Sequence, residues 1–170
     1  MCHDTLMKFR IEQHIPAPLA DVEAALLDRD FIAASAELPK LGAPEVLENE
    51  RDGDRAHQRV RYRFTAELSG AVTRVIDPSK LTWVDEASYD LTAHTSRHRI
   101  LPDNYADRLQ ASYDVSLEPL GDSTRRVATG ELKVRVPLVG GRVERAIVSG
   151  LEEHAAAEAE LLGRWISSAK

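Results

Sequence analysis

The chain has 170 residues and a mass of 18.9 kDa, is 43% apolar and 29% charged, and carries a net charge of −6. That length suits one domain with a single core. The apolar content excludes a disordered chain, and the acidic balance argues against nucleic-acid binding, which leaves a basic footprint.

No apolar run approaches the roughly 18 residues that span a bilayer. Met1 to Arg10 has no basic start followed by an apolar block. The expectation is a cytoplasmic chain without a signal peptide or integral membrane association. Cys2 is the one cysteine, so no internal disulfide forms. Cys2 and His3 lack further ligands nearby, and neither a metal nor another cofactor is expected. Met1 to Thr5 reads as a loose, dispensable extension, with Met7 an alternative start of the fold.

From Leu6 to Ile15 the chain alternates. Phe9, Ile11 and Ile15 share one face, and Lys8, Arg10, Glu12 and His14 the other. This is the pattern of a half-buried strand. Pro16-Ala17-Pro18 ends it, and proline followed by Asp21 and Glu23 suits a helix start. After a break at Asp28-Arg29-Asp30, a second short helix is predicted from Phe31 to Leu38, stopped by Pro39 and Gly42.

Strands follow. Glu45 to Arg51 and His57 to Phe64 flank Asp52-Gly53-Asp54, a hairpin turn. Val60, Tyr62 and Phe64 face one way, Arg59, Arg61 and Arg63 the other. A short strand is predicted over Val72 to Ile76. Leu81, Trp83, Tyr89 and Leu91 keep one parity, interrupted by Asp85. Ala93 to Leu101 forms a strand with His94 and His98 on one face, a zinc pair without a third ligand. Leu109, Ala111, Tyr113, Val115 and Leu117 give the cleanest alternation, and Leu132, Val134 and Val136 line one face of the next strand. One apolar face per strand implies an antiparallel sheet. Its concave face should carry Phe9, Ile11, Val60, Tyr62, Leu109, Tyr113, Leu132 and Val134.

The last segment, Gly140 to Ser167, is an amphipathic helix of about seven turns. Val143, Ile147, Leu151, Leu161 and Trp165 form its apolar stripe. Arg142, Arg145, Glu152, Glu153, Glu160 and Arg164 lie opposite. The predicted fold is α+β: a curved antiparallel sheet gripping a long C-terminal helix, with two short helices after the first strand. Sheet and helix need not touch everywhere, so a cavity opens between them.

The entry to the first helix, Ile15-Pro16-Ala17-Pro18-Leu19-Ala20-Asp21-Val22, resembles that of the START-like superfamily, also called helix-grip, SRPBCC or Bet v 1-like. The junction Val134-Arg135-Val136-Pro137-Leu138-Val139-Gly140-Gly141-Arg142-Val143-Glu144 is similar to that of a bacterial branch of unknown function. The resemblance implies the fold and a cavity, not one activity: its members include lipid carriers, polyketide cyclases and aromatases, receptors and co-chaperones. The sequence has no Cys-x-His pair for a Rieske cluster, no glycine-rich phosphate loop, and no serine or cysteine nucleophile motif.

His154 and Glu158 stand out. Both fall inside the apolar stripe, at i, i+4 spacing, where polar groups are costly unless paired or wetted. They serve a ligand, an acid–base reaction or ordinary buried pairing. Tyr62, Phe64, Trp83, Tyr89, Tyr113 and Trp165 are aromatics that either line the cavity or pack the core. Arg59, Arg61 and Arg63, joined by Arg97 and Arg99, form either a patch for an anionic partner or a solvated face. The first functional reading is binding of a small hydrophobic molecule, lipid-like or polycyclic, by Tyr62, Trp83, Tyr113, Ile147, Leu151, His154 and Glu158. A cyclase- or aromatase-like enzyme using His154, Glu158 or a tyrosine is the second. The third is a co-chaperone-like module with a protein partner.

Overall fold

A computed structural model describes residues 6–169. The expected extension Met1 to Thr5, with Cys2 and His3, lies outside the described residues. The chain runs β1 (Met7–Ile15), α1 (Leu19–Leu26), α2 (Arg29–Ala34), β2 (Glu45–Asp52), β3 (Arg55–Arg63), α3 (Gly70–Thr73), β4 (Thr82–Asp90), β5 (Thr95–Pro102), β6 (Leu109–Leu120), β7 (Ser123–Val134) and α4 (Gly140–Ser168). The seven strands form one sheet in the order β1-β7-β6-β5-β4-β3-β2, each neighbouring pair antiparallel. With α4 laid against it, this is the predicted helix-grip architecture.

Three local expectations are corrected. The predicted strand Val72 to Ile76 is instead the turn of helix α3 and its exit. Ser69 caps it through the Val72 N–H. Val72 and Ile76 are both buried, one helical turn apart, while Val75 between them is exposed. Alternation and helical spacing coincide over so short a run. The second short helix starts earlier and ends sooner than Phe31 to Leu38. Asp28 caps its start by accepting from the Asp30 N–H. At its end the Ser35 hydroxyl donates to the Ile32 carbonyl at 2.6 Å, where the chain tightens into a 3₁₀ turn over Ser35–Glu37. Strand β5 begins at Thr95, not Ala93, because His94 sits in the preceding turn at φ 57°.

The predicted concave face holds. Phe9, Ile11, Tyr62, Leu109, Tyr113 and Leu132 line the space beneath α4, and Val60 and Val134 are buried. Gly130 makes this curvature sterically feasible. It pairs with Phe9 on one side and Tyr113 on the other, whose rings lie 6.4 Å apart. A Cβ there would collide with the Ser112 carbonyl and with Tyr113, and would sit 2.8 Å from the Phe9 ring.

Along α4 the core divides in two. Its C-terminal half packs with α1 and α2 through Ile15, Val22, Phe31, Leu162 and Ile166. Its N-terminal half packs with the sheet and α3 through Phe64, Val72, Leu109, Val143 and Val148. Between these clusters α4 presents Ile147, Leu151, His154 and Glu158 to open volume.

Candidate functional site

The cavity between sheet and α4 has a volume of about 170 Å³. Phe9, Ile11, Leu41, Trp83, Leu109, Leu132, Ile147 and Leu151 form its apolar wall. Gln13, Tyr62, Asp85, Tyr113, Arg126, His154 and Glu158 form its polar end. A side pocket of about 60 Å³ shares Tyr62, Asp85, Tyr113, Arg126 and Glu158 and reaches Phe31 and Ile32 of α2. All seven residues expected from the sequence therefore line one cavity. Of the wider aromatic set, Phe64 and Trp165 do not. Phe64 packs on Gly150, and Trp165 meets Phe31 edge to face at 5.8 Å. Tyr89 lines the side pocket and donates to Gln58 Oε1 at 3.1 Å.

The polar end is two clusters. In the first, Arg126 on β7 donates from one terminal nitrogen to Glu158 Oε1 at 2.7 Å and to Gln13 Oε1 at 3.0 Å. Gln13 Nε2 donates to Glu158 Oε1 at 3.0 Å and to the Ala155 carbonyl at 2.7 Å. Burial pushes the Glu158 carboxyl up, but Arg126, then His154, and the hydrogen bonds from Gln13 and Arg126 together hold it below its ordinary value. Burial of Arg126 lowers its pKa, yet Glu158, Tyr89 and Tyr113 together outweigh this and the net shift is upward. The Arg126 Nε is buried without a hydrogen-bond partner. Glu158 Oε2 lies 4.0 Å from His154 Nε2, beyond hydrogen-bond distance.

In the second cluster, Tyr113 on β6 donates a short hydrogen bond to Asp85 Oδ2. His98 Nδ1 lies 2.9 Å from Asp85 Oδ1, and its Nε2 lies 2.7 Å from Ser96 Oγ. The carboxylate accepts, so Nδ1 carries a hydrogen, and in the neutral ring Nε2 accepts from the Ser96 hydroxyl. The His98 and Tyr113 rings stack at 4.3 Å. Burial first, then Asp85, pushes the Tyr113 hydroxyl well above its ordinary range. Tyr62 rises likewise, through burial, then Asp85 and Glu158. The bonding order Ser96–His98–Asp85 is that of a hydrolytic triad. Ser96, however, is buried and lines a crevice of about 10 Å³, room for no more than a water. A scissile carbonyl could not reach it, so this chain braces Asp85 and Tyr113.

The remaining sequence candidates separate. His94 does not pair with His98: it lies 3.1 Å from Glu23 on α1, while His98 points into the core. Among the described residues no group of three His, Cys, Asp or Glu side chains is placed to hold a metal. Four of the five arginines of the basic strand face are paired: Arg59 and Arg99 share Glu86, Arg61 meets Asp103 and Glu45, and Arg97 meets Asp114. Sequence reasoning missed Gln13 and Arg126, considered His98 only as half of a zinc pair, and treated Asp85 as an interruption. Each sits at inward parity on its strand, and a polar residue at such a position was the available signal.

Residues 10–166 match a family described as a protein of unknown function, DUF2505, and the chain belongs to that family. No curated protein matches it in sequence. Among solved structures, the chain is similar to TTHA0849 from Thermus thermophilus, with a TM-score of 0.68 and 21% identity over 96% of this chain and 99% of that one. It is also similar to the Zhui aromatase/cyclase from Streptomyces sp. R1128, with a TM-score of 0.66 and 16% identity over 96% and 94%. Norcoclaurine synthase from Thalictrum flavum gives a TM-score of 0.65 and 14% identity over 98% and 89%. These likenesses show the fold, which is START-like, or Bet v 1-like. No helix among the described residues is long and apolar enough to cross a membrane.

Proposed function

We propose that this DUF2505 chain binds a small amphipathic molecule between its sheet and α4. The apolar body of the ligand lies against Trp83, Leu109, Ile147 and Leu151, and its polar group meets Glu158, His154 and Tyr62. The observation that carries this reading is a cavity with an apolar wall and a polar end whose groups are not all bonded. Folding desolvates such groups at a cost, and a ligand that bonds them offsets it. An open cavity also speaks against a module whose surface is its only working part.

The volume narrows the ligand. A cavity of about 150 Å³ holds one benzene, so about 170 Å³ with a 60 Å³ annex suits one or two fused rings or a short chain. A long acyl chain requires α4 to move away from the sheet. The cyclase-like alternative uses the same cavity and differs only in whether the bound molecule leaves changed.

Native mass spectrometry of protein purified from its own host tests the reading. The expected result is a bound small molecule, released on denaturation. Ligand-free protein whose melting temperature is unmoved by a panel of one- and two-ring aromatics would overturn it.

A further inference from the structure

We propose that the polar end of the cavity selects a ligand head group with a hydrogen to give, such as a phenol, an alcohol or an amine, and turns away carboxylates. This rests on the ligand-binding reading above and concerns the class of molecule bound.

The first argument is the tautomer of His154. Its Nδ1 lies 3.2 Å from the Pro39 carbonyl. A carbonyl only accepts, so Nδ1 carries a ring hydrogen, and whenever the imidazole is in its neutral form it presents a bare lone pair at Nε2. The second is Glu158. Both of its donors, Arg126 and Gln13, bond Oε1, and Oε2 takes no hydrogen bond among the described residues. These two open acceptors stand 4.0 Å apart on the cavity wall. An oxygen or nitrogen between them sits within hydrogen-bond reach of both. If it carries a hydrogen it satisfies Glu158 Oε2, and an amine satisfies both atoms. A carboxylate there sets lone pairs against lone pairs.

The charge count agrees. The polar end holds two carboxylates, Asp85 and Glu158, against one guanidinium, Arg126. Arg126 bonds Glu158 and Gln13 through one terminal nitrogen, which ties its charge to Glu158, and its Nε is buried out of a ligand's reach. With neutral imidazoles the site is one unit negative, in a place where water does little to screen it. The tyrosines report the same field. Asp85 and Glu158 both push the Tyr62 hydroxyl up, after burial itself, and a site that resists one more anion on Tyr62 resists one on a ligand. The Tyr62 hydroxyl makes no hydrogen bond among the described residues. It is left to accept from, or donate to, a neutral head group.

A matched pair of two-ring probes tests this by calorimetry on the whole protein near pH 8, where imidazoles are largely neutral. 2-Naphthol is expected to bind at least about ten-fold tighter than 2-naphthoate, the difference one well-placed hydrogen bond makes. Naphthoate binding as tightly as naphthol, or tighter, overturns the inference while leaving the ligand-binding reading intact. If naphthalene, naphthol and naphthoate all fail to bind, the ligand-binding reading itself falls and takes the inference with it. The variant Glu158→Gln places an amide hydrogen where Oε2 stood and should narrow the naphthol preference. An unchanged ratio in a folded variant counts against the role given to Oε2. A second readout needs no variant. 4-Nitrophenol is yellow as the phenolate and colourless as the phenol, so added protein should fade the colour at neutral pH. A deepened colour would mean that the site prefers an anion.

Discussion

The two polar clusters under α4 share a cavity wall but not a degree of completion. Asp85 has both oxygens bonded, to Tyr113 and His98, and both ring nitrogens of His98 are engaged. In the other cluster, three bonds converge on Glu158 Oε1 and Gln13 Oε1, while Glu158 Oε2 and Arg126 Nε have no hydrogen bond among the described residues. A closed network fixes the shape of a core, whereas an open one leaves a vacancy for a partner. The closed cluster lies wholly on the sheet, on β4, β5 and β6, where strand pairing sets side-chain distances. The open cluster spans β1, β7 and α4, so it also depends on how the helix docks.

The largest effect should come from breaking the open cluster at its charge. Arg126→Met leaves Glu158 buried against α4 without its cation, at a cost of about 3–5 kcal/mol. The double variant Arg126→Met/Glu158→Leu removes both charges and should recover most of that loss. Urea denaturation of the three proteins measures it. If the double variant is no more stable than Arg126→Met, the pair is not the term that matters.

Next is the closed cluster. Asp85→Ala strands the Tyr113 hydroxyl and the His98 Nδ1–H together, each a donor without an acceptor, for a loss of about 2–4 kcal/mol. Asp85→Asn keeps one acceptor oxygen and should lose less. Ser96→Ala frees only the far end of the chain and should lose about 1 kcal/mol. An Asp85→Ala protein as stable as the wild type would mean that water or a ligand stands in for the carboxylate, and the contrast between the clusters would vanish.

Acid should act on the open cluster through Glu158. Its folded-state pKa lies below its ordinary value, which for an unfolded chain is about 4.3. The stabilisation it contributes is therefore full above that value and is lost as pH falls through the lower, folded value. The stability gap between wild type and Glu158→Gln should shrink as pH is lowered from about 6 to about 3. A gap that widens on acidification would show that Glu158 is destabilised, not stabilised, by its neighbours.

How much of this was legible in the sequence follows from the physics of each element. Period-two alternation carried the strands, since one buried face per strand leaves a readable parity from Phe9 to Val134. The 3.6-residue stripe carried α4 in the same way. The segment Val72 to Ile76 was not legible, because five residues satisfy both periods and a single cap at Ser69 decides between them. His154 and Glu158 were legible as polar residues on an apolar stripe. Their partners were not: Arg126 is 32 residues and Gln13 is 145 residues from Glu158, and only strand order brings them together. The parity of Gln13, Asp85 and Arg126 was visible, but which inward polar residue meets which is a property of the folded sheet.

That difference separates His154 from Glu158, which the sequence presents as a pair. Glu158 is held by Arg126 and Gln13, so its removal strands a cation. His154 hangs from one backbone carbonyl, that of Pro39, at 3.2 Å. His154→Leu loses that hydrogen bond, worth about 0.5–1.5 kcal/mol. It gains apolar surface on a side chain that is 12% exposed, which offsets a comparable amount. The net change in stability should stay within about 1 kcal/mol, the smallest effect of the set. The Pro39 carbonyl precedes Leu41, which lines the cavity, so a freed carbonyl can turn toward water without disturbing the sheet. Binding should respond differently from stability. With the Nε2 lone pair gone, an amine head group loses one of its two acceptors, while a phenol keeps Glu158 Oε2. Calorimetry of His154→Leu with an aromatic amine and a matched phenol should show the amine weakened more. Equal losses for both would place His154 outside the recognition of the head group, leaving Glu158 as the acceptor that α4 contributes.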